Sequence, residues 1–574
     1  MDHHSSQKAI ELPSLSDSRF RWWILVLPFL MIVFLFGCYG LVNGDIWWHL
    51  KTGELILETQ QIPTKNLFTY TNPKSSWIDL HWGFQCFVAL IYTYFGAFGL
   101  IVAKSLVGAT TFLLLLLTVR NSLPAWFMLL CWAPFLSVFA GRYHVRPEML
   151  SMLLLACTLW VLHNSARRPS LLWLLIPIQI VWVNVQGLFI LQHLLVGAYL
   201  LEQLLTFLFE RRNAQLLRRL LLAFILSTMA SFINPYGLQG VLFPLELMGK
   251  MSGELRVFFQ SLAGETNGIS EYLDRSGLLA VTKDSTILML FGTAFAVVIS
   301  QIGSTLYRRK LDIFHWSLIG GFGYLAWQMN RNSNLFALVY GYLFCSNAAN
   351  IVQSYRLAKS NISSQPFPKH WSSFAQSTTF IILVATLSLT INDAQNHGEQ
   401  NIGQSPRRIY FTEQHPWYNH NAAQFISDIP APLNVYARHQ GTGFAGVVIY
   451  HCFDKVSENG KRVYADARLE ANSVEVLKHF ESIPKLLERD MPAAEALLID
   501  DQGQLPLLVL GNELLLRRPG LLQSLIDSER WQCIYISEFN VESWDYGVCM
   551  FMTATKRTSL NISRVSVEPL MRSR

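Results

Sequence analysis

Two polar residues, Asp45 and His49, flank a pair of indoles in the stretch NGDIWWHLKTGE, which begins where the first long apolar run ends. Tryptophan at the end of an apolar run is typical of the membrane interface, so Trp47 and Trp48 indicate an interfacial anchor. An anchor requires neither the acid nor the histidine, and a carboxylate costs several kcal/mol inside hydrocarbon and less at its rim. The pattern therefore predicts a site as well as an anchor.

Two arginines in the turn GRYHVRPE, residues 141–148, add a second kind of chemistry. Arginine presents a fixed fork of N–H donors that suits phosphate. Arg142 and Arg146 favour an anionic ligand on these grounds. Two alternatives stay open, because the side chains can also extend to lipid headgroups or pair with Glu148.

The composition predicts a polytopic membrane protein, since 51% of the 574 residues are apolar, 15% are charged and the mean hydropathy is +0.29. A formal charge of +6 is modest for this length, so it does not indicate nucleic-acid binding. The eight cysteines show no metal-binding spacing and require no disulfide.

Apolar windows of roughly 17 to 22 residues, enough to cross about 30 Å of hydrocarbon, predict about eleven spans. They cover approximately residues 22–42, 98–119, 123–140, 149–163, 171–185, 188–209, 220–233, 286–304, 313–327, 334–352 and 377–391. The run 81–96 amounts to only about 21 Å of helix, so we expect it to lie in the interface.

Basic residues between these spans set the orientation, because cytoplasmic loops are enriched in lysine and arginine. With the N terminus in the cytoplasm, the basic clusters fall on the inner side: Arg19, Arg21, Arg120, Arg167, Arg168, Arg211, Arg212, Arg218, Arg219, Arg308, Arg309, Lys310, Arg356 and Lys359. Arg142 and Arg146 break this trend. The outer side is then predicted to gather the candidate site residues Asp45, His49, Arg142, Arg146, Glu148, Asn184, Gln186, Asn234, Glu271, Arg331 and Asn332, together with an acidic loop over 238–284.

After the last span the sequence changes to short apolar runs alternating with helical patterns, which predicts a compact α/β domain outside the membrane. The predicted strands cover 433–437, 446–453, 495–500, 505–510, 531–537 and 548–553. The predicted organisation is a cytoplasmic tail over 1–21, a membrane domain over 22–392 with its first outer loop at 43–97, an α/β domain over 393–560 and a disordered tail over 561–574. Asp466 and Arg468 in VYADARLE are predicted to form a local ion pair within that domain.

An ordered set of motifs resembles bacterial multi-pass proteins of the GT-C superfamily of glycosyltransferases. The set is DIWWHLKTGELILETQQIPTKNLFTYT, HWGFQ, GRYHVRPEML, VNVQGLF, SFINPYG, ISEYL, QMNRNSNLFAL and VYADARLE. The resemblance implies a multi-pass protein of the bacterial inner membrane with a periplasmic C-terminal domain. It also implies a reaction, the transfer of a sugar from a polyprenyl-phosphate carrier to an acceptor outside the cytoplasm.

Such a transfer needs a base for the acceptor hydroxyl and cations for the departing phosphate. For this transfer we assign Asp45 as base with His49 orienting or assisting it, and Arg142, Arg146 and Arg331 as phosphate ligands. Asn184, Asn234 and Glu271 would position the sugar or a loop. The alternatives from the residues alone are that Asp45 caps a helix starting at Ile46 and that His49 binds a loop carbonyl rather than a metal.

The sequence departs from the family pattern at three places. His81 stands where relatives often have an acid, Gln186 where they have histidine, and Asp45 follows Gly44 without a second acid. These changes remove candidate groups for proton transfer or for a metal. The sequence requires no cofactor, and a divalent cation stays open as one. They favour a second interpretation, in which the chain is an inactive scaffold or subunit that binds a lipid, a glycan or a membrane-protein partner.

Overall fold

The computed structural model describes residues 15–41, 43–73, 75–250, 258, 268–277, 285–358, 369–396, 418–430, 432–439, 441–454, 460–468, 470–537 and 547–566. Residues 1–14 of the predicted N-terminal tail, two acids of the predicted acidic loop (Glu254 and Glu265) and the final residues 567–574 lie outside this part of the chain. The rest of the predicted tail, up to residue 21, belongs to the first helix. The flanking pieces of that acidic loop, where described, are helical.

Helices dominate the described residues. In chain order they are α1 (Leu15–Gly37), α2 (Asp45–Thr59), α3 (Trp82–Val119), α4 (Ala125–Ala140), α5 (Glu148–Ser165), α6 (Leu175–Val183), α7 (Ile190–Glu210), α8 (Ala214–Ala230), α9 (Gly237–Lys250), α10 (Ile269–Ser276), α11 (Ser285–Arg308), α12 (Ile313–Gln328), α13 (Ser333–Ala358), α14 (Lys369–Asn396), α15 (His420–Asp428), α16 (Gly443–Cys452), α17 (Val474–Arg489), α18 (Met491–Leu498), α19 (Asn512–Arg517), α20 (Pro519–Asp527) and α21 (Ala554–Ser559). Short 3-10 turns cover Pro169–Leu174, Gly187–Phe189 and Asn330–Asn332.

The chain divides into two compact units that interleave along the sequence. The first unit contains residues 1–36, 108–142 and 268–396, and the second contains 37–107, 143–267 and 397–574. In the first unit, α4 packs against α11 and α13, and Trp132 of α4 fills the space above Gly341 of α13. In the second unit, α2 packs against α16, and α6 packs against α8.

Among the described residues, five helical segments are long and apolar enough to cross a membrane: Trp82–Val119, Glu148–Ser165, Gly187–Glu210, Ile287–Arg308 and Asn330–Tyr355. The same residues contain five shorter apolar helices of 10–17 residues, and four of these overlap predicted spans. The chain is therefore a helical, multi-pass membrane protein, while the number eleven stays a prediction. Within α3 the backbone leaves the helical conformation at Gly96, with φ 58° and ψ −156°, so the break falls where the predicted interfacial run ends.

A four-stranded mixed sheet lies in the second unit, with strands β1 (Val435–Arg438), β2 (Leu507–Gly511), β3 (Trp531–Ile536) and β4 (Val548–Thr553). Their order is β1-β2-β4-β3, with β1 parallel to β2 and the other neighbours antiparallel. The hydrophobic core on this sheet includes Phe480, Leu508 and Phe551, which are almost fully buried. Four of the six predicted strands are thus confirmed.

The strands predicted at 446–453 and 495–500 are wrong, because these runs lie in or across the ends of helices α16 and α18. A short apolar run that is buried on all sides has the same pattern in a helix and in a strand. In α16 the glycines explain the outcome. A methyl group on Gly446 would lie 2.6 Å from the carbonyl oxygen of Gly44, so a helix with small residues can approach the start of α2 closely.

Gly53 gives a test of how tightly α2 packs against α3. A methyl group at this position would overlap the carbonyl oxygen of Gln85 and lie 2.7 Å from the Cβ of Ala89. We expect Gly53→Ala to reduce the free energy of unfolding by about 1–3 kcal/mol, as overpacking does in a dense interior. The thermal unfolding midpoint of the purified protein measures this. Gly197→Ala in α7, where the added methyl meets open space, is the matched control and should cause no loss.

Candidate functional site

The centre of the site in the second unit is an ion pair between Asp45 and Arg146. Arg146 Nη2 donates to Asp45 Oδ2 over 2.7 Å, and both side chains keep some access to solvent, 14% and 26% exposed respectively. Asp45 is the first residue of α2, and Arg146 lies just before α5. The fold therefore brings a carboxylate and a guanidinium together from distant parts of the sequence.

One sequence-based alternative is wrong at this pair. The N-cap of α2 is Gly44 with no side-chain cap bond, and Asn43 Oδ1 accepts the backbone N–H of Asp45. Asp45 is therefore not the cap, because Asn43 already supplies a side-chain acceptor at this helix end and the Asp45 carboxylate is turned to an arginine. Arg146 pairs with the carboxylate of Asp45.

Beside this pair, His49 belongs to a buried polar network. Its ring nitrogen Nδ1 lies 3.4 Å from Gln85 Nε2, which also donates to Asp79 Oδ1 over 3.1 Å. Asp79 Oδ1 further accepts the backbone N–H of His81 over 3.0 Å. The alternative of a loop carbonyl partner for His49 is therefore wrong, because the amide of Gln85 on α3 reaches the ring.

Burial sets the protonation of this network. It lowers the pKa of His49 well below its usual value, and the charges of His81, Arg146 and Arg468 lower it further. His49 is thus neutral near neutral pH, and with Gln85 donating, its Nδ1 carries no proton. Burial also raises the pKa of Asp79 to about 6, against the opposing effect of His81.

The raised pKa of Asp79 predicts a pH dependence of stability. Between its usual value of 3.8 and about 6, the carboxyl ionises in the unfolded chain before it ionises in the folded one, so stability falls as pH rises through this range. The loss is on the order of 2–3 kcal/mol and is complete above pH 6. Asp79→Asn should remove this part of the pH dependence. Unfolding midpoints of wild type and variant between pH 4 and 7.5 check the result, and parallel curves would contradict it.

The polar residues predicted to position the sugar or a loop make hydrogen bonds that fix the turns around residues 184–186 and 234–237. Asn184 accepts from Trp82 Nε1 over 3.0 Å and donates to the carbonyl of Ile233 over 2.8 Å. Gln186 accepts from the hydroxyl of Ser151. Asn234 closes its own turn by donating to Gly237 and accepting from the Tyr236 N–H. The hydroxyl of Tyr236 in turn accepts the backbone N–H of Asp79.

Four predicted site residues lie in the first unit and are described there by themselves. Asn334 Nδ2 donates to the carbonyl of Arg142 over 2.5 Å, which ties the end of α4 to the start of α13. Arg331 and Asn332 form the 3-10 turn before α13, where Asn332 donates to the Leu325 carbonyl over 2.8 Å. Glu271 in α10 accepts from Ser270 over 2.9 Å.

The predicted local ion pair in the tail is present, and its surroundings reach further than the sequence indicates. Arg468 and Asp466 are fully buried and 2.6 Å apart. The guanidinium also donates to Asn66 Oδ1 over 2.8 Å and lies over the rings of Trp77 and Phe68, at 4.5 and 4.7 Å from their centroids. Arg468 therefore joins the tail to the first loop.

Sequence reasoning missed several ionisable residues of this unit. Asp79 lies two residues before the HWGFQ motif, which is a local signal for it. Lys104 is a lone lysine in the apolar part of α3; it is fully buried, donates to the Tyr39 carbonyl over 3.3 Å and lies 3.6 Å above the Tyr39 ring. A charge at that depth marks a functional position by default. Glu470 is the last residue of the VYADARLE motif, two residues after Arg468.

Within the described residues, no group of three or more histidine, cysteine, aspartate or glutamate side chains is arranged to hold a metal ion. All eight cysteines are free thiols.

No protein-family model matches the chain, and none of the curated proteins matches it significantly. Among solved structures, the archaeal oligosaccharyltransferase AglB from Archaeoglobus fulgidus, in complex with an inhibitory peptide and a dolichol-phosphate, is similar with a TM-score of 0.53 and 11% identity, covering 92% of this chain and 74% of that one. The apo form of the Archaeoglobus fulgidus oligosaccharyltransferase gives 0.54 and 11%, covering 91% and 74%. ArnT from Cupriavidus metallidurans bound to undecaprenyl phosphate aligns over 93% of this chain and 98% of that one, with a TM-score of 0.43 and 13% identity.

At 11% sequence identity, the similarity to the oligosaccharyltransferase structures is evidence about the fold alone. Their similarity extends over nearly the whole chain, as does the ordered set of motifs. This multi-pass protein is therefore similar in fold to the two archaeal oligosaccharyltransferase structures.

Proposed function

We propose that the chain is a membrane glycosyltransferase that moves a sugar from a polyprenyl-phosphate carrier to an acceptor outside the cytoplasm. The observation that carries the proposal is the pair of Asp45 and Arg146, 2.7 Å apart and partly open to solvent, on a GT-C fold. The dolichol-phosphate named with the archaeal oligosaccharyltransferase supports the choice of carrier.

The two groups suit the two ends of such a transfer. As the acceptor oxygen attacks the anomeric carbon, the Asp45 carboxylate takes the hydroxyl proton, a role that contributes about 10²–10⁴ to the rate. As the bond from that carbon to the phosphate oxygen breaks, the guanidinium of Arg146 meets the negative charge that develops. Arginine has five N–H donors, so one side chain can serve phosphate and Asp45 together.

His49 acts in this proposal as a neutral group. With its pKa lowered by burial, it carries no positive charge near neutral pH and cannot serve as a phosphate cation. Its partner is Gln85, which also binds Asp79. We therefore assign His49 an assisting role, as part of the buried polar network with Gln85 and Asp79 that supports the first turn of α2.

The remaining assignments rest on the sequence. Arg142 and Arg331 are proposed as further phosphate ligands, and Asn332, Glu148 and Glu271 as polar contacts for the sugar or the loops. Asn184, Gln186 and Asn234 are proposed to shape the site through the loops that they hold.

The test is binding of the carrier phosphate to the full-length protein in nanodiscs, with undecaprenyl phosphate and dolichyl phosphate as probes. Arg146→Lys keeps the charge and loses the fork, so we expect affinity to fall about 10- to 100-fold, the equivalent of a charge-assisted hydrogen bond of roughly 1.5–3 kcal/mol. Arg218→Lys, on the exposed side of α8, is the control. Equal binding by wild type and Arg146→Lys would refute the phosphate role.

A cheaper observation separates the transferase from the scaffold. Protein purified from native membranes should carry polyprenyl phosphate, which mass spectrometry of the extracted lipid detects. A stoichiometric protein partner without this lipid would favour the scaffold instead.

A further inference from the structure

The first turn of α2, which carries Asp45, is covered by two helices of the tail. Helix α16 packs against α2, and α15 packs against α16. At the turn the two backbones meet. A methyl group on Gly44 would lie 2.9 Å from the carbonyl oxygen of Gly443, so there is no room for a side chain between them. The start of α2 therefore lies directly against the start of α16.

Trp47, two residues after Asp45, is fully buried among aromatic rings, three of which belong to the tail. Its ring centroid lies 4.4 Å from that of His420, 5.4 Å from that of Tyr450 and 6.4 Å from that of Tyr418. The His420 ring is the nearest of the three and makes a T-shaped contact at an interplanar angle of 77°. Such ring pairs contribute about 0.5–1.5 kcal/mol beyond their buried area. His420 is therefore the tail residue that holds the indole most closely.

A second histidine of the tail holds His420 in turn. Nδ1 of His420 lies 2.9 Å from Nε2 of His451 on α16, a distance at which one ring nitrogen donates a hydrogen bond and the other accepts it. Burial, together with the charge of His451, lowers the pKa of His420 to about 4, so this ring is neutral near neutral pH. A neutral ring can keep the bond, because only one of the two facing nitrogens then carries a proton.

The backbone around His420 is fixed as well. His420 is the first residue of α15, and the side chain of Asn419 caps this helix by accepting the backbone N–H of Ala422 over 3.0 Å. Towards the other end of α15, the hydroxyl of Ser427 donates to the carbonyl of His451 over 3.1 Å. Both ends of α15 are thus held, and the position of the His420 ring follows from them.

Asp45 and Trp47 belong to the same turn, so a shift of the indole also shifts the carboxylate. The helix rises about 1.5 Å per residue, which leaves only a short, stiff piece of backbone between the two side chains. The carboxylate of Asp45 is 2.7 Å from Arg146. A misplacement of about 1 Å can lower the rate of a reaction about 10²-fold, so the hold on Trp47 bears on the chemistry.

We propose that His420 is a positioning residue of the site: it holds Trp47 and, through the first turn of α2, sets where the Asp45 carboxylate lies. The inference rests on the proposed transferase. In that reaction Asp45 must lie within hydrogen-bond reach of the acceptor hydroxyl, so a small shift of the turn lowers the rate. The tail thereby takes part in catalysis through packing.

The first experiment needs no substrate. Infrared difference spectra of the full-length protein give the carboxylate band of Asp45 as the band that Asp45→Asn removes. We expect this band to shift in His420→Ala, because the turn loses the ring that holds it and the bond to Arg146 changes. His479→Ala removes a half-buried histidine of α17 and should leave the band in place. An unshifted band in His420→Ala would overturn the proposal.

The second experiment uses turnover in proteoliposomes with a hexosyl polyprenyl phosphate labelled in the sugar. We expect His420→Ala to lower kcat about 10- to 100-fold. KM for the lipid donor should change little, since the proposed phosphate ligand Arg146 does not belong to this turn. His420→Phe keeps a ring against Trp47 and should recover most of the rate. His479→Ala should behave as wild type.

A double-mutant cycle separates positioning from general damage to the fold. If His420 acts through Asp45, His420→Ala should cause no further loss of rate in Asp45→Asn, because the carboxylate that it positions is already gone. Losses that add in the double variant would overturn the positioning and leave the transferase standing. A wild type that neither binds the carrier phosphate nor turns over would overturn the transferase, and the infrared band would then decide on its own whether His420 sets the place of Asp45.

Discussion

Asp45→Asn is expected to lower the rate of sugar transfer by about 10²–10⁴, the contribution of a positioned general base. Asparagine keeps the shape of the side chain and an oxygen that can accept from Arg146, so the ion pair becomes a hydrogen bond and α2 keeps its place. What is lost is the group that takes the proton. The measurement is single turnover with the labelled lipid donor in proteoliposomes, at saturating donor.

Two comparisons make this result specific to the site. Glu58→Gln removes an exposed acid from the same helix and should leave the rate unchanged. The unfolding midpoint of Asp45→Asn should stay close to that of wild type, since the pair is partly exposed and such pairs contribute about 1 kcal/mol or less. Full turnover by the variant would exclude Asp45 as the base.

Arg468→Met is expected to cost about 3–5 kcal/mol of stability, the largest loss that we predict for a single side chain. The substitution leaves the Asp466 carboxylate buried without its cation, and this uncompensated charge is the main cost. It also removes the hydrogen bond to Asn66 and the stacking on Trp77. Thermal unfolding in detergent, followed by tryptophan fluorescence, measures the change.

A second ion pair of the same unit serves as the matched control. Arg438 and Glu481 are also 2.7 Å apart but are 21% and 32% exposed, so Arg438→Met should cost roughly 0.2–1 kcal/mol. Adding Asp466→Asn to Arg468→Met should recover part of the loss, because the buried charge is then gone. Equal losses in the two arginine variants would show that burial of the charge is not the cause.

The sequence predicts the helices well where a long apolar run is bounded by polar residues. Helices α4, α5 and α13 fall where spans were predicted, because length and hydropathy are local properties. The run 446–453 shows where prediction from local sequence fails. Val447, Val448 and Ile449 favour a strand by type, yet Gly443 and Gly446 let the segment pack as a helix against the start of α2. Only the tertiary contact decides between the two.

In the candidate site, too, the sequence indicates single residues, and tertiary contacts decide how they meet. Asp45 and Arg146 stand out in the sequence because each is a charge at the end of an apolar run. Their bond to each other is set by packing and is not readable from either motif. The site becomes complete only through contacts between distant segments.

The parallel bridge between Thr69 and Val463 has a consequence for folding during synthesis. A ribosome must make helices α3 to α16 before Val463 emerges, so during that time Phe68 and Trp77 lack the contacts that the segment around Val463 and Arg468 supplies. We expect nascent chains that stop short of this bridge to display these rings to chaperones and proteases. The first loop thus gains its contacts with Val463 only after the intervening helices have been synthesised.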